Sequence, residues 1–127
     1  MSYKTAKVYT GSEWVDLAVA VTGPNQRTVK NVSGTSYTLL PGDAGYELVF
    51  TNSSSISFTV PSDTTSFVIG QSFVLIQYGT GVITVAGDTG VTVNAKSNHV
   101  KSAGQYSELR LIKVNSNEWL LSGDLSA

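Results

Sequence analysis

Residues 72–78 read Ser-Phe-Val-Leu-Ile-Gln-Tyr, a run of mostly large apolar side chains without a charge. The run ends in a turn signal, Gly79-Thr80-Gly81. A short continuous run bounded by turn residues is typical of a strand that is covered on both of its faces. We therefore expect residues 72–78 to lie at the centre of an all-β fold.

Around this run the apolar side chains recur at every second position. Ile56-Ser57-Phe58-Thr59-Val60 and Gly90-Val91-Thr92-Val93 both alternate, as half-buried strands do. Short turn segments such as Pro41-Gly42-Asp43 and Asn115-Ser116-Asn117 separate the runs. Nine strands are expected near residues 36–40, 46–51, 56–60, 66–69, 72–78, 82–86, 90–94, 106–114 and 117–122. The pattern predicts an antiparallel β-sandwich or a jelly-roll-like barrel of short strands.

The chain before this domain divides into two parts. Residues 1–21 are interpreted as a short N-terminal β arm, residues 22–35 as a turn-rich linker, and residues 36–127 as the β-sandwich domain. Within the arm, residues 7–10 and 14–17 flank a Gly-containing loop and predict a hairpin. The spacing of the apolar residues from Trp14 to Val21 also fits a helix, but their alternation favours strands.

Composition excludes several classes of protein. Among 127 residues, eight Lys and Arg nearly balance nine Asp and Glu, and the basic residues are scattered, which argues against a nucleic-acid partner bound mainly through its phosphates. No cysteine is present, so disulfides and thiol catalysis are excluded. No apolar run near the N-terminus is long enough for a signal peptide or a membrane span. We expect a protein made in the cytoplasm, without membrane insertion.

The sequence predicts no catalytic residue, no cofactor and no metal site. The single histidine, His99, lacks the partners that a catalytic triad needs, and an ordinary loop position is favoured over a metal site formed by three copies on a trimer axis. Carboxylates could form a glycosidase pair, but no local motif contains one. The aspartates at 43, 63, 88 and 124 all fall in turns, where they are expected to bond nearby backbone N–H groups.

Aromatic and apolar residues of the arm are the candidate interface. The four phenylalanines lie in strand contexts and are expected in the core. The arm is too short to form a core of its own, so its large side chains need another surface to pack on, either the rest of this chain or a neighbouring protein. The predicted docking residues are Tyr3, Val8, Tyr9, Trp14 and Leu17.

Residues 70–85 read as a strand, a Gly-x-Gly turn and a second strand. The segments 104–107, 111–113 and 117–125 follow them, and residues 7–17 stand near the start of the sequence. These five segments resemble, respectively, the strand-turn-strand signature, the closing part (104–125) and the first residues of tail-fibre-type and related structural modules of bacteriophage virions. The family's long shaft is absent, since no heptads, collagen-like triplets or β-helix repeats appear.

The resemblance implies a homotrimeric, non-enzymatic virion protein. A short member fits a small fibre, a head fibre or a capsid decoration subunit, attached to other capsid or tail proteins by its N-terminal arm. The alternatives are a carbohydrate-binding β-sandwich that binds host-surface glycans in attachment, and a small glycan hydrolase. A lectin would present exposed aromatic residues or a calcium-type acidic cluster, and neither is evident in residues 36–127.

Overall fold

The computed structural model describes residues 7–9, 14–16, 26–62 and 67–127, and their regular structure is almost entirely β-strand. The first strands in chain order are β1 Lys7–Tyr9, β2 Trp14–Asp16, β3 Thr28–Val32, β4 Ser36–Thr38, β5 Tyr46–Phe50, β6 Ile56–Val60 and β7 Ser72–Gln77. They are followed by β8 Ile83–Gly87, β9 Thr92–Ala95, β10 Lys101–Ser102, β11 Glu108–Asn115, β12 Glu118–Gly123 and β13 Leu125–Ser126. Single 3₁₀ turns form at Pro41–Asp43 and Lys96–Asn98.

Two sheets pack face to face and enclose one hydrophobic core. The six-stranded sheet has the order β3-β5-β7-β11-β12-β9, and the five-stranded sheet has the order β13-β10-β8-β6-β4. The prediction of an all-β sandwich is therefore confirmed. Strands β1 and β2 pair with each other as the antiparallel hairpin that the sequence predicts.

From β3 to β8 the chain passes alternately through the two sheets. Strands β3, β5 and β7 belong to the six-stranded sheet, and β4, β6 and β8 to the five-stranded one. Each strand thus returns to its own sheet in the same direction, so that pairing within β3-β5-β7 and within β4-β6-β8 is parallel. We call the pairs β3 with β4, β5 with β6, and β7 with β8 the first, second and third coils.

Antiparallel pairing, predicted for the whole sandwich, occurs in its two sheets only in the pairs that include β10 or β11. Strand β11 pairs antiparallel with β7 and β12, and β10 pairs antiparallel with β8 and β13. Strand β9 lies parallel to β12 at the sheet edge. The sheets are mixed because an alternating pattern determines which face of a strand is buried but not the direction of its neighbour.

The core follows the period of two seen in the sequence. In β6, Ile56, Phe58 and Val60 are buried and Ser57 is exposed. The rings of Phe50 and Phe58 meet edge to face across the sandwich with centroids 5.9 Å apart. Each large apolar side chain buried in this way stabilises the fold by roughly 1.5–3 kcal/mol.

Strand β7 lies inside the six-stranded sheet, but its two faces are unequal. Phe73, Leu75 and Gln77 point into the core and are buried. Val74 and Ile76 point to the opposite side, where the described part of the chain leaves them only half-buried. The continuous run predicts a strand that is covered on both faces, whereas the described chain fully covers only the core-facing side of β7.

Three local predictions differ from the structure. Residues 22–35, interpreted as a linker, contain β3 as the edge strand of the six-stranded sheet. No strand forms at 67–69, which lead into a turn at Gly70, and residue 66 lies outside the described residues. The turn signal at residues 79–81, interpreted as the turn of a β-hairpin, instead forms a corner between the two sheets, because β7 belongs to the six-stranded sheet and β8 to the five-stranded one.

This corner requires glycine because the third coil approaches the second at backbone distance. The N–H groups of Gly79 and Gly81 donate to the carbonyl oxygens of Phe50 and Asn52, each over 3.0 Å. A Cβ on Gly79 would stand 2.5 Å from the carbonyl oxygen of Asn52, and one on Gly81 would overlap that of Ser54. Stacking of the coils thus leaves no room for a side chain at either position.

A buried polar network joins β7 of the six-stranded sheet to β8 and β10 of the five-stranded sheet. Ser102 donates its hydroxyl hydrogen to Gln77 Oε1 over 2.6 Å and accepts from the Ile83 N–H over 2.8 Å. Gln77 Nε2 donates to the Gly79 carbonyl over 3.1 Å. These polar groups are buried with partners, as stability requires.

We expect Gly81→Ala to lower the free energy of unfolding by about 1–3 kcal/mol, because the added methyl group forces the two coils apart. Gly104→Ala is the matched control, since a Cβ there has no neighbour within 4 Å, and its effect should stay within about 0.5 kcal/mol. Urea denaturation followed by tryptophan fluorescence measures both. Equal stability of the two variants would contradict the close approach of the corners.

Candidate functional site

The outward side of the six-stranded sheet is the main candidate for an interaction surface. Strand register brings together outward-facing aliphatic side chains from β3, β5, β7, β11 and β12. Val29 and Leu120 are 56% and 42% exposed, and the other four are half-buried. This outer apolar face consists of Val29, Val49, Val74, Ile76, Ile112 and Leu120.

The outward side of the five-stranded sheet is chemically different. Its side chains are mainly hydroxyls, and register aligns Ser36, Ser57 and Thr84 in one row and Thr38 and Thr59 in the next. We call this side the hydroxyl face. The same alternation thus produces one outer side of mainly hydroxyl side chains and another on which six aliphatic side chains lie among polar and charged ones such as Glu47 and Ser72.

Charged residues of both signs lie within the outer apolar face, because β11 is an inner strand of the six-stranded sheet. Glu108 and Arg110 are exposed on β11, on either side of buried Leu109. Their neighbours on β7 are Ile76 and Val74, respectively. Within the described ranges the ion pairs join Arg27 to Glu47 at 2.6 Å and Lys30 to Asp43 at 2.8 Å, and none uses Glu108 or Arg110.

A groove of about 560 Å³ lies at the β3 side of this face, and two tyrosines form its wall. Tyr78 and Tyr106 are 56% and 66% exposed, and their rings meet edge to face with centroids 5.4 Å apart. Tyr106 has a backbone φ of 72°, which bulky side chains rarely adopt. We call this the tyrosine groove; its other lining residues are Val29, Asn31, Val49, Thr51 and Ile76.

Sequence reasoning missed the tyrosine groove. It expected no exposed aromatic residues in 36–127, and it placed Tyr78 in the covered central strand. Strand β7 ends at Gln77, so that Tyr78 belongs to the corner, and the loop before β11 brings Tyr106 beside it. No local signal in the sequence indicates this juxtaposition.

A second polar cluster joins the two strands of the first coil to the 3₁₀ turn that follows them. The Lys30 ammonium donates to Asp43 Oδ1 over 2.8 Å and to the Tyr37 hydroxyl over 2.9 Å, and that hydroxyl donates to Asp43 Oδ2 over 2.6 Å. Asp43 is buried and also accepts the Leu40 N–H. All partners of this carboxylate come from the first coil and the turn that follows it, which indicates a structural role.

Two of the four aspartates expected to stabilise turns accept backbone N–H groups through their carboxylates. Asp43 accepts the Leu40 N–H over 3.0 Å, and Asp88 accepts that of Thr89 over 2.8 Å. Asp124 follows β12, and Asp63 lies outside the described residues. His99 is half-buried just after the 3₁₀ turn Lys96–Asn98, beside Leu120 and Leu125.

The predicted docking arm falls largely outside the described side chains. Tyr3 and Leu17 lie outside the described residues. Val8, Tyr9 and Trp14 are described as strand positions of β1 and β2 only, with Tyr9 opposite Trp14. Docking through these five residues stays a prediction.

Among the described residues, no three His, Asp or Glu side chains are grouped as ligands for a metal ion. No helix in the described part of the chain is long and apolar enough to cross a membrane.

We expect the cluster of Lys30, Tyr37 and Asp43 to make stability fall at alkaline pH. The hydrogen bonds to Asp43 and Tyr37 raise the pKa of Lys30 above its ordinary 10.5, and burial together with the Asp43 bond raises the pKa of Tyr37 above 10.0. A raised pKa in the folded state gives stability that is complete below the unfolded value and is lost as the pH rises. The free energy of unfolding should therefore fall above about pH 10.

Urea denaturation between about pH 7 and pH 11 tests this dependence. Tyr37→Phe should reduce the alkaline fall, while Tyr46→Phe, at an exposed tyrosine outside the cluster, should keep the wild-type slope. A Tyr37→Phe variant with the full wild-type slope would show that the cluster does not cause the fall.

Comparison with known proteins assigns no family to this chain. No protein-family model matches the chain, and no curated protein sequence is significantly similar to it.

Proposed function

We propose that this chain is a non-enzymatic structural subunit of a bacteriophage particle, a small fibre or capsid decoration protein. It works by assembling, as a homotrimer, with copies of itself and with other capsid or tail proteins. The proposal places it in the virion after synthesis in the host cytoplasm. Its N-terminal arm, with Tyr3, Val8, Tyr9, Trp14 and Leu17, attaches it to the particle.

The observation that carries this proposal is the outer apolar face. The run at 72–78 has the composition of a strand covered on both sides, and the described chain covers one side only. A sheet side with aliphatic residues from five strands favours association with protein, because leaving it in water costs about 25 cal/mol for each Å² of apolar surface. The hydroxyl face shows that the same fold accommodates polar residues where no cover is needed.

The segments that carry the resemblance to phage structural modules also support the proposal. Residues 70–85 form the third coil with its glycine corner, and residues 104–125 include the β11–β12 hairpin. These segments build the central part of the six-stranded sheet. The resemblance therefore concerns the elements that display the outer apolar face.

We expect the purified full-length chain and a variant lacking residues 1–21 both to have the mass of a trimer. The reason is that the outer apolar face belongs to residues after 28, so the sandwich can associate without the arm. Light scattering at micromolar concentration measures both masses. A monomeric full-length protein would contradict the proposed assembly. If only the full-length protein is a trimer, the contact between subunits is made by residues 1–21 and not by the sandwich.

A carbohydrate-binding protein used in host attachment is the second candidate, and the tyrosine groove favours it. Exposed tyrosines offer flat apolar rings with a polar tip, and Asn31 and Thr51 add hydrogen-bonding groups beside them. The φ of Tyr106 costs on the order of 1–3 kcal/mol, and such strain often marks functional sites. The groove has no charged lining residue, which suits a neutral sugar.

We expect, for this second candidate, that a neutral bacterial-surface oligosaccharide raises the melting temperature of the wild type by a few degrees. Tyr106→Ala should abolish the shift because it removes one wall of the groove. Tyr46→Ala, at an exposed tyrosine away from this wall, should keep the shift. If a panel of such oligosaccharides leaves the melting temperature unchanged, the groove is not a sugar site.

A further inference from the structure

Glu108 and Arg110 give the outer apolar face a pair of opposite charges at adjacent outward positions. Both are exposed on β11, and their neighbours across the strand pair are Ile76 and Val74. The ion pairs of the described ranges use other residues. Both charges are therefore available to groups outside the described part of the chain.

An adjacent pair of opposite charges is complementary to a second copy of itself. When the copies of a trimer meet around their axis, Glu108 of each copy can lie opposite Arg110 of the next, with Val74 and Ile76 beside the pair in the same contact. Complementary charges of this kind fix the register of an interface and disfavour other partners. The hydroxyl face has no comparable pair, since Lys101 lies there between Thr84 and Ser126.

The size of the sheet is compatible with such a contact. Six strands of about five residues cover roughly 24 Å by 17 Å, a flat area on the order of 400 Å². Side-chain relief raises the accessible area above this projection, toward the about 600–1,000 Å² that each partner buries in a specific interface. The face thus approaches the lower end of the area that a specific contact between copies buries.

We propose that copies of this chain pack against one another through the outer apolar face, with Glu108 of one copy opposite Arg110 of another. This inference rests on the proposed function, because it names the surface through which the subunits associate. It commits the face to a second copy of the chain rather than to a different virion protein or a glycan.

Charge reversal distinguishes a second copy from any other occupant. Glu108→Arg and Arg110→Glu each place like charges opposite each other and should raise the dissociation constant of the oligomer at least about tenfold. The double variant Glu108→Arg/Arg110→Glu restores opposite charges between copies and should return the constant to within about threefold of the wild type. Lys101→Glu, an equal reversal on the hydroxyl face, should have no effect. Sedimentation velocity of the full-length proteins over a concentration series measures all five constants, with circular dichroism to verify folding.

Three results would overturn the inference. If both single variants associate like the wild type, the face is not the contact, although the assembly itself stands. If the double variant is as weak as the single ones, the charges meet a group other than their counterparts on a second copy. If the wild type stays monomeric over the whole concentration range, the proposed assembly fails and this inference fails with it.

Discussion

Backbone contact between successive coils is the constraint on which the fold depends. The parallel ladders β3-β5-β7 and β4-β6-β8 form only if each coil lies one strand spacing from the next, about 4.8 Å. The corners must keep the same spacing, and at Gly79 and Gly81 the approach is so close that the backbone of one corner donates directly to the backbone of the other. Side-chain packing then follows from the ladders, because register decides which residues meet in the core.

The sequence predicted the strands whose buried face can be recognised from their own residues. The alternation in residues 56–60 predicts β6 to the residue, because its neighbours bury Ile56, Phe58 and Val60 on a single side. The predicted β11–β12 hairpin also forms, since Asn117 tolerates the φ of 51° that the turn needs. Both features depend on residues that are close together in the chain.

Features that depend on distant partners were not predictable in this way. Strand β3 carries the charged Lys30 on its inward side, so its sequence was interpreted as a polar linker. The structure shows that Lys30 donates there to Asp43 and Tyr37, which are distant in the sequence. The alternation of apolar and polar residues does not indicate whether neighbouring strands are parallel, so the parallel pairing of the coils was not predicted. The groove of Tyr78 and Tyr106 joins two corners separated by β8, β9 and β10, so no local pattern could indicate it. The docking arm is supported by the sequence alone.

The coils are equivalent in structure, yet their corners differ in length. The corners at residues 33–35, 51–55 and 78–82 lead from the six-stranded sheet to the five-stranded one, and those at 39–45 and 61–71 lead back. Insertions and deletions at the corners that lead back to the six-stranded sheet can therefore accumulate without altering the register of any strand, so that three stacked coils need not show a repeat in the sequence. Evolution can lengthen or replace these returning corners while the two sheets and the close contact at Gly79 and Gly81 stay as they are, and natural variation should concentrate at the returning loops.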